Sequence, residues 1–532
     1  MIVSIFNDVI GPVMRGPSSS HCAAALRIGR LARDLMSGEI DSVLVEFDNG
    51  GSLPATHASQ GSDMGLFGGL LGWDADDERL PNSGQHLADA GIDLQFKYAD
   101  LNDPHPNTYR LHLANQNTKH HLVAISVGGG MFQLIQLDGV DVRIDGDYYE
   151  TMVRASVSHT ESVREQLQAD HVIACDDGLL QIKSQTPLTE QQLCDAIGEA
   201  TDVVRLSPVL PVMSGRDVDV PFRSCEEMLA YNADRGLSLS DLAIEYEKAR
   251  SGLTESQLIE KARQIVEITR ASVKSGLAGT QYDDRVIGFQ SGQFESKLSA
   301  GELLDAGILN PIVLSVTALM EVKSSMGVIV AAPTAGACAA FPAVCLVAGE
   351  KLNLDDDQIA RAIMAGGIIG VFIATHWSFA AEVGGCQAEG GSASAMSAAT
   401  LVSFAGGTAE QAAGAASMAM QNMLGLICDP VANRVEVPCL GKNVMAASNA
   451  ISCANMALSG FDCVIPFDET VAAAKAVAER MPREHRCTAL GGLSTTPTSL
   501  KIQERLAKGC GSGCGCGVPT TRIETNKQKA SR

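Results

Sequence analysis

Aromatic side chains are scarce in this chain: Phe, Trp and Tyr supply 4% of its 532 residues. A core built mainly from stacked rings is therefore excluded, and the 52 glycines point instead to helices that approach closely through small residues. Positive charge is also short, with 40 Lys and Arg against 62 Asp and Glu and a net charge of −22. Such a surface repels phosphate, so neither nucleic acid nor an anionic membrane is expected as a partner. No basic stretch followed by an apolar run opens the chain, because Met1-Ile-Val-Ser-Ile-Phe-Asn-Asp8 meets an acid at once, and a cytoplasmic protein is expected. One uncharged stretch, Ile363 to Ala381, is long enough to cross a membrane. Gly366, Gly367, Gly370, His376, Trp377 and Ser378 dilute it, and it has no aromatic belt or Lys/Arg-rich flank, so it reads as a buried helix. No repeat with a period of about 20 to 50 residues is evident.

Apolar material is ample, 45% of residues, enough for two or three domains with full cores. Residues 1–150 mix the two periodicities: Ala23 to Leu35 reads as helix, Ser42 to Phe47 and Leu122 to Val127 as strands. Residues 151–221 read as strand (Met152 to Val157), helix (Glu161 to Gln168), two strands (His171 to Cys175, Leu179 to Lys183), helix (Thr189 to Ala200) and strand (Val203 to Val212). That βαββαβ order fits a small ferredoxin-like module. Residues 222–507 read as helical, with charged surface helices over Leu239 to Lys248 and Glu255 to Ser275 and an Ala/Gly-rich core from near Ile308. Residues 508–532 form a Cys/Gly-rich tail expected to be flexible. The expected fold class is multi-domain: an N-terminal α/β domain, a small ferredoxin-like module and a large all-α domain.

The chain has 15 cysteines, and in a cytosolic protein clustered thiols more often bind metal or do chemistry than form disulfides. Cys338, Cys345, Cys453 and Cys463 stand in Ala-rich helical text and read as small buried hydrophobes. Cys386, Cys428 and Cys439 differ, each having Gly or Pro within two residues, where backbone leaves regular structure and side chains converge. Spacing alone leaves metal ligation and plain burial both open. Zinc is the commoner cytosolic metal, but none of the three belongs to a CxxC pair; iron–sulfur clusters also use thiolates. Near the start, Ser18, Ser19, Ser20 and His21 precede the first helix, where serines serve either as caps or as part of a carboxylate cradle. Gly128, Gly129 and Gly130 follow a strand and permit close backbone approach.

Four motifs carry a resemblance: Val328-Ile-Val-Ala-Ala-Pro-Thr-Ala-Gly336, Glu382-Val-Gly-Gly-Cys386-Gln-Ala-Glu389, Cys428-Asp-Pro-Val431 and Val435-Glu-Val-Pro-Cys439. They resemble the catalytic half of the iron–sulfur-dependent L-serine dehydratases, and the spacing of the three cysteines fits as well. Gly16-Pro-Ser-Ser-Ser-His21 and Ser126-Val-Gly-Gly-Gly130 look like motifs of that family's other half. The resemblance implies a single-chain lyase acting in amino-acid catabolism and gluconeogenesis, L-serine to pyruvate and ammonia. It also implies Cys386, Cys428 and Cys439 as ligands of an oxygen-sensitive 4Fe-4S cluster, and an ACT-like middle module. Ser18, Ser19, Ser20 and His21, with Ser126 and Gly128, are expected to bind or polarise substrate, and Thr334, Ala335 and Gly336 to cradle it. The base is open between His57 and Asp63. Three departures stand out: Gln60 where a histidine is expected, Gln293-Phe-Glu-Ser where a Gly-Gly-Asp-Ala-like segment is usual, and Ala432-Asn433 where a Gly pair is common.

They keep in play a dehydratase of an amino-free β-hydroxy acid such as 2-(hydroxymethyl)glutarate. A zinc-holding regulatory protein using Cys510, Cys514 and Cys516 is the alternative of another class. Those three thiols are also candidates to cap an open iron. His105, His112, His120, His121 and His376 read as structural or surface residues, and a homodimer is expected.

Overall fold

A computed structural model describes residues 2–155, 159–198, 201–215 and 218–509 of the chain. In the first part, six strands form one sheet in the spatial order Asp93–Ala99, Ser42–Asp48, Thr108–Ala114, Lys119–Gly128, Met131–Leu137, Val140–Ile144. Only the first pair is parallel; the others are antiparallel. Helices Ala24–Leu35 and Ser62–Leu70 pack together and cover the sheet. Their contact is built on glycine, since a Cβ on Gly65 would lie 2.0 Å from the Cys22 carbonyl oxygen and one on Gly69 2.0 Å from that of Leu26. Small residues thus do the close packing that the lack of aromatics suggested.

The middle segment has four antiparallel strands in the spatial order Thr201–Leu206, Tyr149–Arg154, Leu179–Ser184, His171–Ala174. Helices Thr160–Leu167 and Glu190–Ile197 contact each other, and Val153, Val163, Leu167, Leu180, Ile182 and Leu193 form a separate small core. The last strand ends at Leu206 rather than Val212. Beyond it the chain goes to the other parts: the Asn7 side chain exchanges two hydrogen bonds with the backbone of Val212.

The rest is helical apart from the two-residue strand Ile329–Val330, which pairs with Val13–Met14. Asp356–His376, opened by an Asp355 capping box, lies at the centre, packed by Leu239–Ser251, Glu255–Ala278 and Ser392–Phe404. Among the described residues it is the helix long and apolar enough to cross a membrane, and most of it is buried. The N-terminal turn Ile5–Val9 is part of this helical core: a Cβ on Gly367 would meet Ile5, and one on Gly370 would meet Val9. Glu247 holds the turn by accepting from Ser4 Oγ (2.7 Å) and Ile5 N (2.8 Å).

Candidate functional site

The cysteine motifs converge through three breaks in helical backbone. Ala381–Gly384 is a single turn, Gly385 takes a left-handed conformation, and Cys386 then opens the wide turn Gln387–Gly391. The Gln387 backbone donates to Leu426 O at 2.9 Å, and its side chain accepts from Gly425 N at 2.8 Å, which brings the Cys428 loop alongside. Cys439 is the first residue of helix Cys439–Leu458. All three thiols are buried. Those of Cys386 and Cys428 lie within hydrogen-bonding reach of each other, and each is held well above the usual thiol range. Cys439, pushed up to about 12 by burial, interacts with Cys386 electrostatically. One turn along the same helix, Lys442 Nζ donates to Ile427 O (2.7 Å), Asp429 Oδ1 (2.8 Å) and Cys386 Sγ (3.5 Å).

A fourth buried thiol, Cys487, packs against Cys386 and Cys428 and reaches the Cys428 sulfur. The residue-level reading missed it, because its nearest glycine, Gly491, is four residues away, outside the two-residue spacing that set the other three apart. Among the described residues no three His, Cys, Asp or Glu side chains converge on one ion-sized point. Cys510, Cys514 and Cys516 lie outside the described residues.

The first part of the chain faces these thiols. Ser19–Ala23 forms a wide turn rather than a capped helix start, and Ser18 makes no side-chain cap bond to it. Ser18 Oγ lies 3.0 Å from His21 Nδ1, Ser19 Oγ accepts from Ala335 N at 3.0 Å, and Ser20 O accepts from Ser126 Oγ at 2.7 Å. Gly128 has a positive φ, and a Cβ there would lie 2.8 Å from Ala380 N, two residues before Glu382. His21 is fully buried, and burial, with His57 nearby, lowers its pKa to about 3, so its ring is neutral. Thr56 Oγ1 donates to Ser52 O (2.8 Å) and therefore accepts from His21 Nε2–H (2.8 Å). The lone pair is left on Nδ1, 3.4 Å from Glu382 Oε1.

Burial, reinforced by the nearby Glu389 carboxylate, raises the Glu382 pKa to about 7. Its Oε2 has no hydrogen-bond partner, and neither do two other buried atoms, Asn107 Nδ2 and Lys323 Nζ. Asn107 interacts with Glu382, while Lys323 is an electrostatic neighbour of Glu389 and Cys439. Unsatisfied buried groups are rare in folded proteins and call for a partner. Thr334 Oγ1 donates to Glu389 (2.8 Å), Asn443 Nδ2 donates to Gly336 O (2.8 Å), and a Cβ on Gly336 would lie 2.8 Å from Glu389 Oε1.

His57 and Asp63 stand elsewhere. His57 Nδ1 is 2.6 Å from Asp63 Oδ1 and Nε2 is 2.8 Å from the Tyr98 hydroxyl, with the ring beside Phe47 and Phe96. From the same helix, Leu53–Gln60, it is Gln60 that reaches the cysteines: its Nε2 donates to Asn433 Oδ1 (3.0 Å) and Cys487 Sγ (3.5 Å). Asn433 in turn donates to Ala55 O and Ser59 Oγ. The Gln293-Phe-Glu-Ser segment lies in helix Ser291–Ser299, whose start is held by Glu321. His112 and His120 pair with Glu46 and Asp138 on the sheet, away from the cysteines.

The family model described as "Serine dehydratase alpha chain" matches residues 234–494. The "Probable L-serine dehydratase, alpha chain" of Bacillus subtilis is 36% identical over 288 residues, which is 54% of this chain and 96% of that protein. The same organism's "Probable L-serine dehydratase, beta chain" is 40% identical over 150 residues, 28% of this chain and 67% of that one. An "L-serine dehydratase" of Helicobacter pylori J99 is 26% identical over 506 residues, 93% of this chain and 98% of that one.

Proposed function

Because this chain belongs to the L-serine dehydratase family, we propose that it converts L-serine to pyruvate and ammonia. It is a lyase. The reaction removes the Cα proton and the β-hydroxyl; the enamine tautomerises to an imine, and water releases ammonia. The observation that carries the assignment to this site is the closeness of the buried His21–Glu382 pair to the buried thiols, with the Glu382 Oε2 and Asn107 Nδ2 atoms there lacking hydrogen-bond partners.

We further propose that Cys386, Cys428 and Cys439 hold a 4Fe-4S cluster. The donor set fits: the three thiols are buried and come from separate segments of the chain, and such clusters are held by cysteine thiolates. Lys442, charged and donating to Cys386 Sγ, favours the thiolate form. When bound, such a cluster supplies a Lewis acid for a leaving hydroxyl. The chain's own groups do the rest. Glu382, with a pKa raised into the neutral range and one free oxygen, is placed to take the Cα proton, and His21 Nδ1 to share it. Lys323 supplies a buried positive charge for the substrate carboxylate, and the turn of Ser18, Ser19 and Ser20 with Thr334, Ala335 and Gly336 closes the pocket. His57, held by Asp63 and Tyr98, acts as packing for the Leu53–Gln60 helix.

The four-stranded middle segment, residues 151–221, is proposed to be a ferredoxin-like, ACT-like module that joins the α/β part (1–150) to the helical part (222–507) and contributes to a homodimer contact. The assay is anaerobic: iron and acid-labile sulfide are measured, then pyruvate and ammonia after addition of L-serine. Both products from an iron-loaded protein support the assignment. Iron-loaded protein that ignores L-serine but dehydrates 2-(hydroxymethyl)glutarate contradicts it.

A further inference from the structure

The side chains around Glu382 close into a ring that begins and ends at Ser52. On one side, Ser52 O accepts from Thr56 Oγ1 (2.8 Å), Thr56 Oγ1 accepts from His21 Nε2–H (2.8 Å), and His21 Nδ1 lies 3.4 Å from Glu382 Oε1. On the other, Ser52 Oγ donates to Asn107 Oδ1. The remaining junction is between Asn107 Nδ2 and Glu382 Oε2, two buried atoms without a hydrogen-bond partner, on side chains that interact with each other. Ser52, Thr56, His21, Asn107 and Glu382 are all buried. An unpaired donor beside an unpaired acceptor is costly in such a place.

Asn107 is anchored apart from its amide. Its backbone N donates to His105 Nδ1 (3.2 Å), its O accepts from Ser126 N (3.0 Å), and Ser52 N donates to the neighbouring Pro106 O (2.9 Å). The orientation of the amide follows from chemistry. An ionised carboxylate only accepts, so the NH2 end faces Glu382, and the carbonyl end takes the Ser52 hydroxyl. The titratable groups that also face Glu382 are His21, Glu389, Tyr109 and Cys487.

We propose that Asn107 is a positioning residue of the base, its Nδ2–H donating to Oε2 of the ionised Glu382 and aimed there by Ser52. The inference rests on the reading of Glu382 as the base. A hydrogen bond to the charged form favours that form, so Asn107 keeps Glu382 ionised and its free oxygen fixed until the Cα proton arrives. When Oε2 takes that proton, the C–H electron pair stays on the substrate and the bond from Asn107 weakens.

The experiment uses the full chain, loaded anaerobically, and follows pyruvate from L-serine against pH for the wild type, Asn107→Ala, Ser52→Ala and Glu382→Gln. Asn107→Ala should lower the plateau kcat by about 10- to 100-fold, the worth of a hydrogen bond to a charged group, with KM little changed. It should also move the acidic limb upward by about one pH unit. Ser52→Ala should do the same in smaller measure. A merely structural Asn107 would lower kcat and leave the limb in place, so an unmoved limb in Asn107→Ala that is folded by circular dichroism overturns the proposal. If that variant does not fold, an unmoved limb in Ser52→Ala overturns it instead. A wild type without an acidic limb, or Glu382→Gln that keeps one, overturns the assignment of the base, and this inference with it.

Discussion

Glu382 is buried beside His21, with its pKa raised to about 7 by that burial. It sits in a recognisable motif, but its place beside His21 depends on a chain crossing of several hundred residues, so no local pattern marks it as a base. His57 shows the converse. As the histidine nearest to Gln60 it was the natural candidate, yet Asp63 and Tyr98 engage both ring nitrogens while Gln60 turns to the thiols. That Cys386, Cys428 and Cys439 stand apart from the other cysteines was legible because Gly and Pro interrupt helical text around each. Cys487 was not, because its nearest glycine is four residues away and only the folded chain brings its segment against Cys428. Glu382→Gln should lower kcat by about 10²–10⁴-fold, the usual worth of a general base, with iron content unchanged. Since the base must be ionised, kcat/KM should fall as pH drops through about 7, and a profile without that acidic limb would remove Glu382 from the role.

Among the elements, most helices and strands follow from periodicity, and the exceptions lie at the site. The wide turn Ser19–Ala23 sits where the serines offered either a helix cap or a cradle, and Gln387–Gly391 sits at the Gly-rich break around Cys386; Ser19, Gln387 and Glu389 make tertiary hydrogen bonds from these turns. The Ala432-Asn433 departure has a direct physical reading: both residues are left-handed, φ 51° and 55°, where a Gly pair would be relaxed. Asn433 uses its side chain to bridge to Gln60, Ala55 and Ser59, whereas Ala432 gains nothing comparable. Ala432→Gly should therefore raise stability by about 1 kcal/mol in denaturant titration. Gly65→Ala should do the reverse. Its Cβ would meet the Cys22 carbonyl oxygen at 2.0 Å, forcing the two helices apart at a cost of about 3 kcal/mol; near-normal stability would show that the pair yields easily.

At the scale of the molecule, this one chain is similar both to a Bacillus subtilis protein named as an alpha chain and to one named as a beta chain. The parts are laced together: the N-terminal turn lies in the helical core, and Gln60 and Asn433 meet across the site. This lacing was illegible because nothing local in residues 2–14 names a partner more than two hundred residues away, such as Glu247 or Gly367. Several buried acids share one electrostatic consequence. Burial raises Asp8 to about 6, and Glu150 and Glu382 to about 7. A raised acid binds its proton more tightly folded than unfolded, so its contribution is full below the ordinary carboxylate range and is lost as pH rises through 6 to 7. The net charge of −22 acts in the same direction. The Tm of the metal-free protein should therefore fall between pH 5 and 7.5, and Asp8→Asn should flatten part of that slope; a Tm rising over the window would contradict the assignment.

The most direct test of the central claim compares wild type with Cys386→Ser and Cys428→Ser after identical anaerobic iron and sulfide reconstitution. The account predicts a wild type with about four irons per chain that releases pyruvate and ammonia from L-serine, and variants that keep the fold by circular dichroism but lose both the iron and the activity. Variants that retain activity, or a wild type that turns over L-serine without iron, would contradict it.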